Sequence, residues 1–93
     1  MERRKLSPEE IATELEKLDG WNAKGDKLKK KYTFANFAEA MAFVNRVGEI
    51  DESMDHHPDI KFGWGYAKIS TTTHDRGGIT DVDFSLAGRI NQL

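Results

Sequence analysis

The chain has no cysteine, only two prolines among 93 residues, and no long run of apolar side chains. Without thiols it can form neither disulfides nor thiolate metal sites, and it has no cysteine nucleophile. No apolar stretch reaches the length of a signal-peptide core or a membrane-spanning helix, so the sequence favours a cytoplasmic protein.

Neither sign of charge is in excess. Fourteen basic and sixteen acidic residues leave a net charge of −2, which is too balanced for a protein whose main role is to bind a phosphate backbone. We therefore expect no direct nucleic-acid ligand and no membrane partner. The length is typical of one compact domain with a modest core, so residues 1–93 are treated as a single domain that self-association would help to stabilise.

The first part of the chain predicts a helix followed by a hairpin. Residues 7–10, Ser-Pro-Glu-Glu, have the pattern of a capping box with proline in the first helical turn, and Gly20 suits the end of that helix. Two short extended segments between residues 21 and 34 flank a turn predicted at residues 22–26.

A second helix is predicted to begin at Asn36, whose side chain can cap it. Its end is placed near Gly48 or shortly beyond it, because glycine can either terminate a helix or be tolerated inside one. Residues 51–59 are predicted to form an ordered loop, since Pro58 disfavours helical dihedral angles at the preceding residue.

The rest of the chain predicts a second hairpin and a last helix. Residues 59–62 and 66–73 are the expected strands, with a Gly-Trp-Gly turn at 63–65 and many β-branched side chains in the second arm. Thr80 is the predicted cap of a helix that begins there.

The resulting order is α-β-β-α-β-β-α. Strands joined as hairpins favour antiparallel pairing, and helices with one apolar side cover one face of such a sheet. The sequence thus predicts an α+β fold, a four-stranded antiparallel sheet with three helices packed on one face.

Three histidines are all that the chain contains: His56, His57 and His74. Each lies within two residues of an aspartate, and imidazole can donate or accept a proton near neutral pH, so the group suggests acid/base chemistry. Consecutive extended residues point to opposite faces, which predicts different roles for the first two. An antiparallel hairpin brings His74 back toward them, so a shared pocket is predicted.

These histidines lie in motifs that resemble one family. The His-His-Pro of residues 56–58, Thr-His at 73–74, Gly-x-Thr-x-x-Asp at 78–83 and Leu-Ala at 86–87 are similar in order and spacing to the signature of the pterin-4a-carbinolamine dehydratases. The resemblance implies the fold described above and dehydration of 4a-hydroxytetrahydropterin to quinonoid dihydropterin, a step of tetrahydrobiopterin recycling. It also implies that no metal or organic cofactor is needed, and a homodimer or homotetramer.

The resemblance also implies site residues. His56 and His74 would transfer protons at the substrate hydroxyl or ring, His57 would bind substrate and relay protons, and Asp83 would orient an imidazole. The positions that match substrate-binding residues are Glu52, Asp55, His57, Pro58 and Thr73. Trp64 stands where many relatives have tyrosine, so contacts at the pocket rim are expected to differ.

Plainer interpretations compete with this assignment. His56 and His57 could be an exposed loop pair, and Asp83 could serve only as the capping partner of Thr80. The histidines together with Asp83 or Glu52 could also hold zinc or iron, although adjacent histidines lack the spacing of a helical metal motif.

Two further interpretations concern an alternative function and the role of a lysine-rich segment. A non-catalytic binding module is the alternative function, because some members of the resembling family are dimerisation cofactors of a transcription factor. The lysine-rich residues 27–31 are interpreted as protection of a sheet edge.

Overall fold

The structure is a computed structural model that describes residues 4–93, and it confirms the predicted fold and element order. The three helices are α1 Pro8–Glu16, α2 Phe37–Met54 and α3 Asp81–Asn91. The four strands are β1 Asn22–Lys24, β2 Lys27–Thr33, β3 Asp59–Gly63 and β4 Tyr66–Thr71. A short 3-10 helix, His74–Arg76, lies between β4 and α3.

The strands form one antiparallel sheet in the order β1-β2-β4-β3. Side chains alternate between its faces, and Leu28, Ala67 and Ile69 of the two central strands are fully or almost fully buried beneath the helices. Leu28 and Ile69 pack with Val47 of α2 and Leu86 of α3 in one hydrophobic cluster. None of the helices within residues 4–93 combines the length and apolar character needed to cross a bilayer.

The helix starts follow the predicted capping chemistry. Ser7 and Glu10 form the expected reciprocal capping box of α1, and the Asn36 side chain accepts the backbone N–H of Glu39 at the start of α2. Thr80 and Asp83 form a second capping box at α3.

The end of α2 was predicted wrongly. The helix passes through Gly48 and continues to Met54, so the first part of the expected loop over residues 51–59 is helical. It stops at Asp55, whose backbone adopts the left-handed conformation with φ 51°. Pro58 restricts only the residue before it, so it has no effect on residues 51–54, and Gly48 is tolerated inside the helix.

The turn of the first hairpin is shorter than predicted, and strand β4 ends earlier than predicted. Residues 22–24 belong to β1, and the reversal uses only Gly25 and Asp26, both with positive φ as a two-residue hairpin turn requires. Strand β4 ends at Thr71 instead of residue 73. Thr73 then pairs with Gly78 in an isolated bridge that encloses the 3-10 helix.

The interpretation of residues 27–31 as a sheet edge was also wrong, because β2 is an internal strand. Lys30 points to the helix side, where its ammonium group donates to the Asn91 side-chain oxygen at 2.9 Å and to the Asp19 carbonyl at 3.0 Å. Lys27, Lys29 and Lys31 lie on the opposite face.

Asn91 ties α3 to the sheet and to the segment after α1. Its Oδ1 accepts from Trp21 Nε1 at 3.0 Å and from the Tyr32 hydroxyl at 2.7 Å, in addition to Lys30. Its Nδ2 donates to the Asp19 carbonyl at 3.0 Å. Burial raises the pKa of Tyr32 to about 12, so the phenol remains a neutral donor to this amide.

We expect Asn91→Ala to lower the free energy of unfolding by about 1–3 kcal/mol, because it leaves partly buried donors without their acceptor. Urea unfolding followed by circular dichroism measures the change. Gln92→Ala, at an exposed neighbouring position, is the matched control and should change stability by less than about 0.5 kcal/mol. Equal effects of the two substitutions would contradict the role given to Asn91.

Candidate active site

All three histidines line one cavity of about 330 Å³. It opens where the end of α2, the end of β4 and the 3-10 helix meet. The lining residues are Asp55, His56, His57, Thr72, Thr73, His74 and Asp75. The shared pocket predicted from the hairpin geometry is therefore present.

The sharp stop of α2 directs His56 into the protein. After Asp55 turns the chain in the left-handed conformation, the backbone N–H of His56 still bonds the Asp51 carbonyl at 3.1 Å. This contact holds the residue against the helix end, and its side chain is only 5% exposed. The interpretation of residues 56 and 57 as an exposed loop pair is therefore wrong for the first of them.

The Asp83 carboxylate is completely buried and lies at the centre of a hydrogen-bond network. Its Oδ1 lies 2.6 Å from His56 Nε2 and accepts the Thr71 hydroxyl at 2.6 Å. Its Oδ2 accepts the Thr73 hydroxyl and the backbone N–H of Thr80, both at 2.9 Å. The capping role and the contact with an imidazole thus coexist, one on each carboxylate oxygen.

This network fixes the tautomer of His56. Because the Thr71 hydroxyl donates to Asp83, its oxygen is left as an acceptor, and it lies 3.2 Å from His56 Nε2. Both neighbours of Nε2 are therefore acceptors, so this nitrogen carries the hydrogen. The other ring nitrogen, Nδ1, is then the one available to exchange a proton with a ligand.

His57 and His74 differ from His56 in being exposed. The side chain of His57 is 57% exposed, and its Nε2 lies 3.4 Å from Glu52 Oε1 on the last turn of α2. His74 begins the 3-10 helix, lines the same cavity and is exposed. Two solvent-accessible imidazoles thus accompany one that is buried and oriented.

The remaining predicted site residues have varied positions. Asp55 lines the cavity and Thr73 contributes to both the lining and the Asp83 network. Pro58 is half-buried and is not a lining residue. Trp64 is 73% exposed in the β3–β4 turn and does not line the cavity either, so the expected change at the pocket rim is not found there.

Sequence reasoning missed three residues at this site. Thr71 was treated only as a β-branched strand residue, and Thr72 was not singled out, although Thr71 shares a strand face with Thr73 by simple alternation. Asp51 was placed in a loop. In the structure its carboxyl group is 4% exposed on α2, and its Oδ1 has no hydrogen-bond partner among residues 4–93.

Asp51 is unusual electrostatically. Burial raises its pKa to about 6, an effect that nearby His57 and His56 reduce and Glu52 reinforces. The carboxylate also lies in the last part of α2, where the partial negative charge of the helix end disfavours a further anion.

Within residues 4–93, no group of three or more histidine, aspartate or glutamate side chains converges in a way that could hold a metal ion. The arrangement at the cavity is instead one of separate proton donors and acceptors.

The sequence of the chain matches a known family model. The model for pterin 4 alpha carbinolamine dehydratase matches residues 4–93. The chain belongs to this dehydratase family. It is accordingly an enzyme of the hydro-lyase class.

Curated relatives of the dehydratase family cover nearly all of the chain. A protein of Sulfurisphaera tokodaii named "Putative pterin-4-alpha-carbinolamine dehydratase" is 44% identical over 90 residues, which is 97% of each chain. One of the same name from Nostoc sp. is 46% identical over 88 residues, 95% of each chain.

Two solved structures are similar to this dehydratase-family chain. The transcriptional coactivator/pterin dehydratase from Brucella melitensis has a TM-score of 0.91 at 25% identity, over 96% of this chain and 97% of that one. A pterin dehydratase-like protein described as a RuBisCO assembly factor in the alpha-carboxysome has a TM-score of 0.67 at 25% identity, over 78% and 87% of the two chains.

We expect Asp51→Asn to stabilise the protein increasingly as the pH rises from about 4 to above 6. A folded pKa of about 6, against an ordinary 3.8, means that the native state holds a proton that the unfolded state has released, so folding loses stability across this interval. The difference in unfolding free energy between variant and wild type should grow by about 1–2 kcal/mol. Urea unfolding at pH 4, 5, 6 and 7 measures it.

Glu49→Gln, an exposed carboxylate on the same helix, is the control for Asp51 and should show no such trend. A difference between Asp51→Asn and wild type that stays constant from pH 4 to 7 would contradict the raised pKa.

Proposed function

We propose that this chain dehydrates 4a-hydroxytetrahydropterin to quinonoid dihydropterin by histidine acid/base catalysis. The observation that carries the proposal is the single cavity lined by all three histidines, one of them oriented by a buried carboxylate. The family to which the chain belongs makes this reaction the natural use of such a cavity.

The reaction requires two proton movements. The C4a hydroxyl must receive a proton to leave as water, and the pterin ring must lose one, so that no net proton is consumed. Histidine can serve at either step, because neutral imidazole has one nitrogen that donates and one that accepts.

His56 suits a step that needs an oriented imidazole. Asp83 and Thr71 hold its Nε2–H, so Nδ1 can accept a proton without any rearrangement of the ring. The neighbouring carboxylate stabilises the imidazolium that forms, because opposite charges attract strongly away from water.

His74 suits the complementary transfer. It lines the same cavity as His56 but is exposed, so it can exchange protons with solvent after each turnover. His57, paired with Glu52, is assigned to substrate binding and to a proton relay at the cavity mouth. In this assignment Asp55 and Thr73 form part of the cavity wall that contacts the substrate. Pro58 restricts the backbone of the segment that follows His57.

The proposal also includes where the enzyme acts and that it needs no cofactor. It is taken to act in the cytoplasm in tetrahydrobiopterin recycling, without metal or organic cofactor. Dialysis against a chelator should therefore leave the rate unchanged, and a tightly held stoichiometric ion required for activity would overturn the metal-free assignment.

His74→Ala gives the sharpest test of the catalytic assignment. We expect kcat to fall by about 10²–10⁴-fold, the usual contribution of a general acid or base, with little change in the free energy of unfolding because the side chain is exposed. The absorbance change of freshly generated 4a-hydroxytetrahydropterin measures the rate. Arg76→Ala, exposed in the same 3-10 helix and outside the cavity lining, should keep wild-type activity.

The buried histidine gives a second comparison. His56→Ala should lower both rate and stability, since it leaves Asp83 buried without one of its partners. If the wild type, although folded, did not accelerate the reaction over buffer, or if His74→Ala were as active as Arg76→Ala, the proposed function would be wrong.

A second part of the proposal concerns self-association as a homodimer or homotetramer through α2. Phe37 and Met41 are 43% and 44% exposed and lie with Val44 and Gly48 on one side of the helix. A Cβ atom placed on Gly48 would meet nothing within 4 Å, so another helix can approach closely there. Apolar side chains at helical spacing on the surface are typical of helix–helix interfaces.

Met41→Lys should shift the protein toward monomer, because it places a charge in the apolar interface. Light scattering coupled to size-exclusion chromatography measures the mass. Arg46→Gln, exposed on another side of α2, is the control. A wild type that is monomeric throughout would contradict self-association and favour the alternative function, docking of a different protein on this helix.

A further inference from the structure

The solvent face of the sheet carries an array of lysines. Leu28, Ala67 and Ile69 point toward the helices, so the residues that alternate with them point to the other side. By this register the outer face holds Lys24, Lys27, Lys29, Lys31, Lys61 and Lys68. We call this surface the lysine face.

The strand register places like charges directly opposite one another. Lys68 of β4 pairs with Lys31 of β2 on one side and with Lys61 of β3 on the other. Three lysines thus form a row across three neighbouring strands, with a spacing of about 4.8 Å between strands. Lys24 and Lys27 are a further opposed pair. Like charges in directly opposed positions destabilise a sheet.

Acidic residues of the described part of the chain neutralise little of this array. Asp59 is the single acidic residue on the lysine face, and no carboxylate of residues 4–93 lies within 4 Å of these six ammonium groups. Six lysines and one aspartate give the face a charge of about +5, so the rest of a chain of net charge −2 carries about −7. The overall balance conceals a strong segregation of charge.

Protection of sheet edges does not account for the array. Lys27, Lys29, Lys31 and Lys68 are on β2 and β4, the two central strands, which have hydrogen-bonded neighbours on both sides. Lysines on an edge strand protect a sheet because their charges disfavour pairing of that strand with another chain. On internal strands they do not protect an edge and they repel one another, and a bound anion would relieve this repulsion.

We propose that the lysine face binds the phosphate backbone of single-stranded nucleic acid. A depression of about 380 Å³ lies on this face, and its lining includes Lys29, Lys31, Lys61 and Lys68 together with Asn22, Ser70 and one carboxylate, that of Asp59. Lysine is a mobile point charge that suits phosphate oxygens. The lysine side chains start from backbone positions about 4.8 Å apart across strands and about 7 Å apart along them, so their mobile ammonium groups can follow a ligand that carries one charge on every unit.

A protein partner fits this surface less well. Protein interfaces depend on buried aromatic or arginine anchors, and the lysine face has neither tryptophan nor arginine. Its one aromatic residue is Tyr66, and the ammonium groups of Lys31 and Lys68 lie 5.8 and 6.0 Å from the ring centre. An aromatic ring beside cations is the combination on which single-stranded bases stack. The proposal departs from the expectation, drawn from net charge alone, that nucleic acid is no direct ligand.

Binding of a fluorescein-labelled oligo(dT) of 20 nucleotides, followed by anisotropy at 50 mM salt, tests the proposal. Lys29→Glu/Lys68→Glu should raise Kd by about tenfold or more, whereas Lys17→Glu, exposed on the helix side, should leave it within about twofold. The neutral pair Lys29→Gln/Lys68→Gln should lower the slope of log K against log salt concentration by about 1.4, since each lost phosphate contact removes about 0.7.

The depression on the lysine face and the histidine cavity share no lining residue, so this proposal stands independently of the dehydratase assay. Circular dichroism checks that each variant is folded. Absence of binding by the wild type, or equal binding by the double variants, would overturn the proposal. So would a polyglutamate peptide of the same charge that competes as well as the oligonucleotide, because the ligand would then be an acidic protein segment.

Discussion

The buried carboxylate of Asp83 is the contact on which the site and much of the surrounding fold depend. An anion removed from water is tolerated only where donors replace its lost hydration. Here they come from β4, from the backbone at the start of α3 and from the imidazole that follows α2. The same group therefore joins three elements and orients the one buried histidine.

This arrangement divides the cavity into a rigid half and an accessible half. His56 has a fixed tautomer and no freedom to rotate without breaking the contact to Asp83. His57 and His74 remain in contact with solvent. A reaction that moves one proton onto a leaving hydroxyl and another off a ring benefits from both kinds of group, since orientation lowers the barrier and exposure restores the starting protonation.

The helices and the strand order could be predicted because their signals are local. Capping boxes and alternating apolar residues need no knowledge of distant contacts. The end of α2 could not, because it depends on a left-handed Asp55 and not on the more conspicuous Pro58. Asp51 and the lysine face were missed because both depend on tertiary contacts. Asp51 is buried only when α2 packs against the rest of the protein, and the lysines become neighbours only when the strands pair in the observed order.

The candidate site was predictable in its histidines and in Asp83, which lie in recognisable motifs, but not in the threonines that complete it. Thr71 acquires its importance only when β4 is set against α3.

The contact between His56 and Asp83 also has a consequence for how the molecule becomes active. These residues are 27 positions apart in the sequence, and the hairpin between them must close before they can meet. Contacts of long sequence separation form late in folding because they require the intervening chain to be ordered first. A chain can thus contain most of its helices and strands while the His56 imidazole still lacks its carboxylate partner, which it gains only when α3, the helix that carries Asp83, is docked.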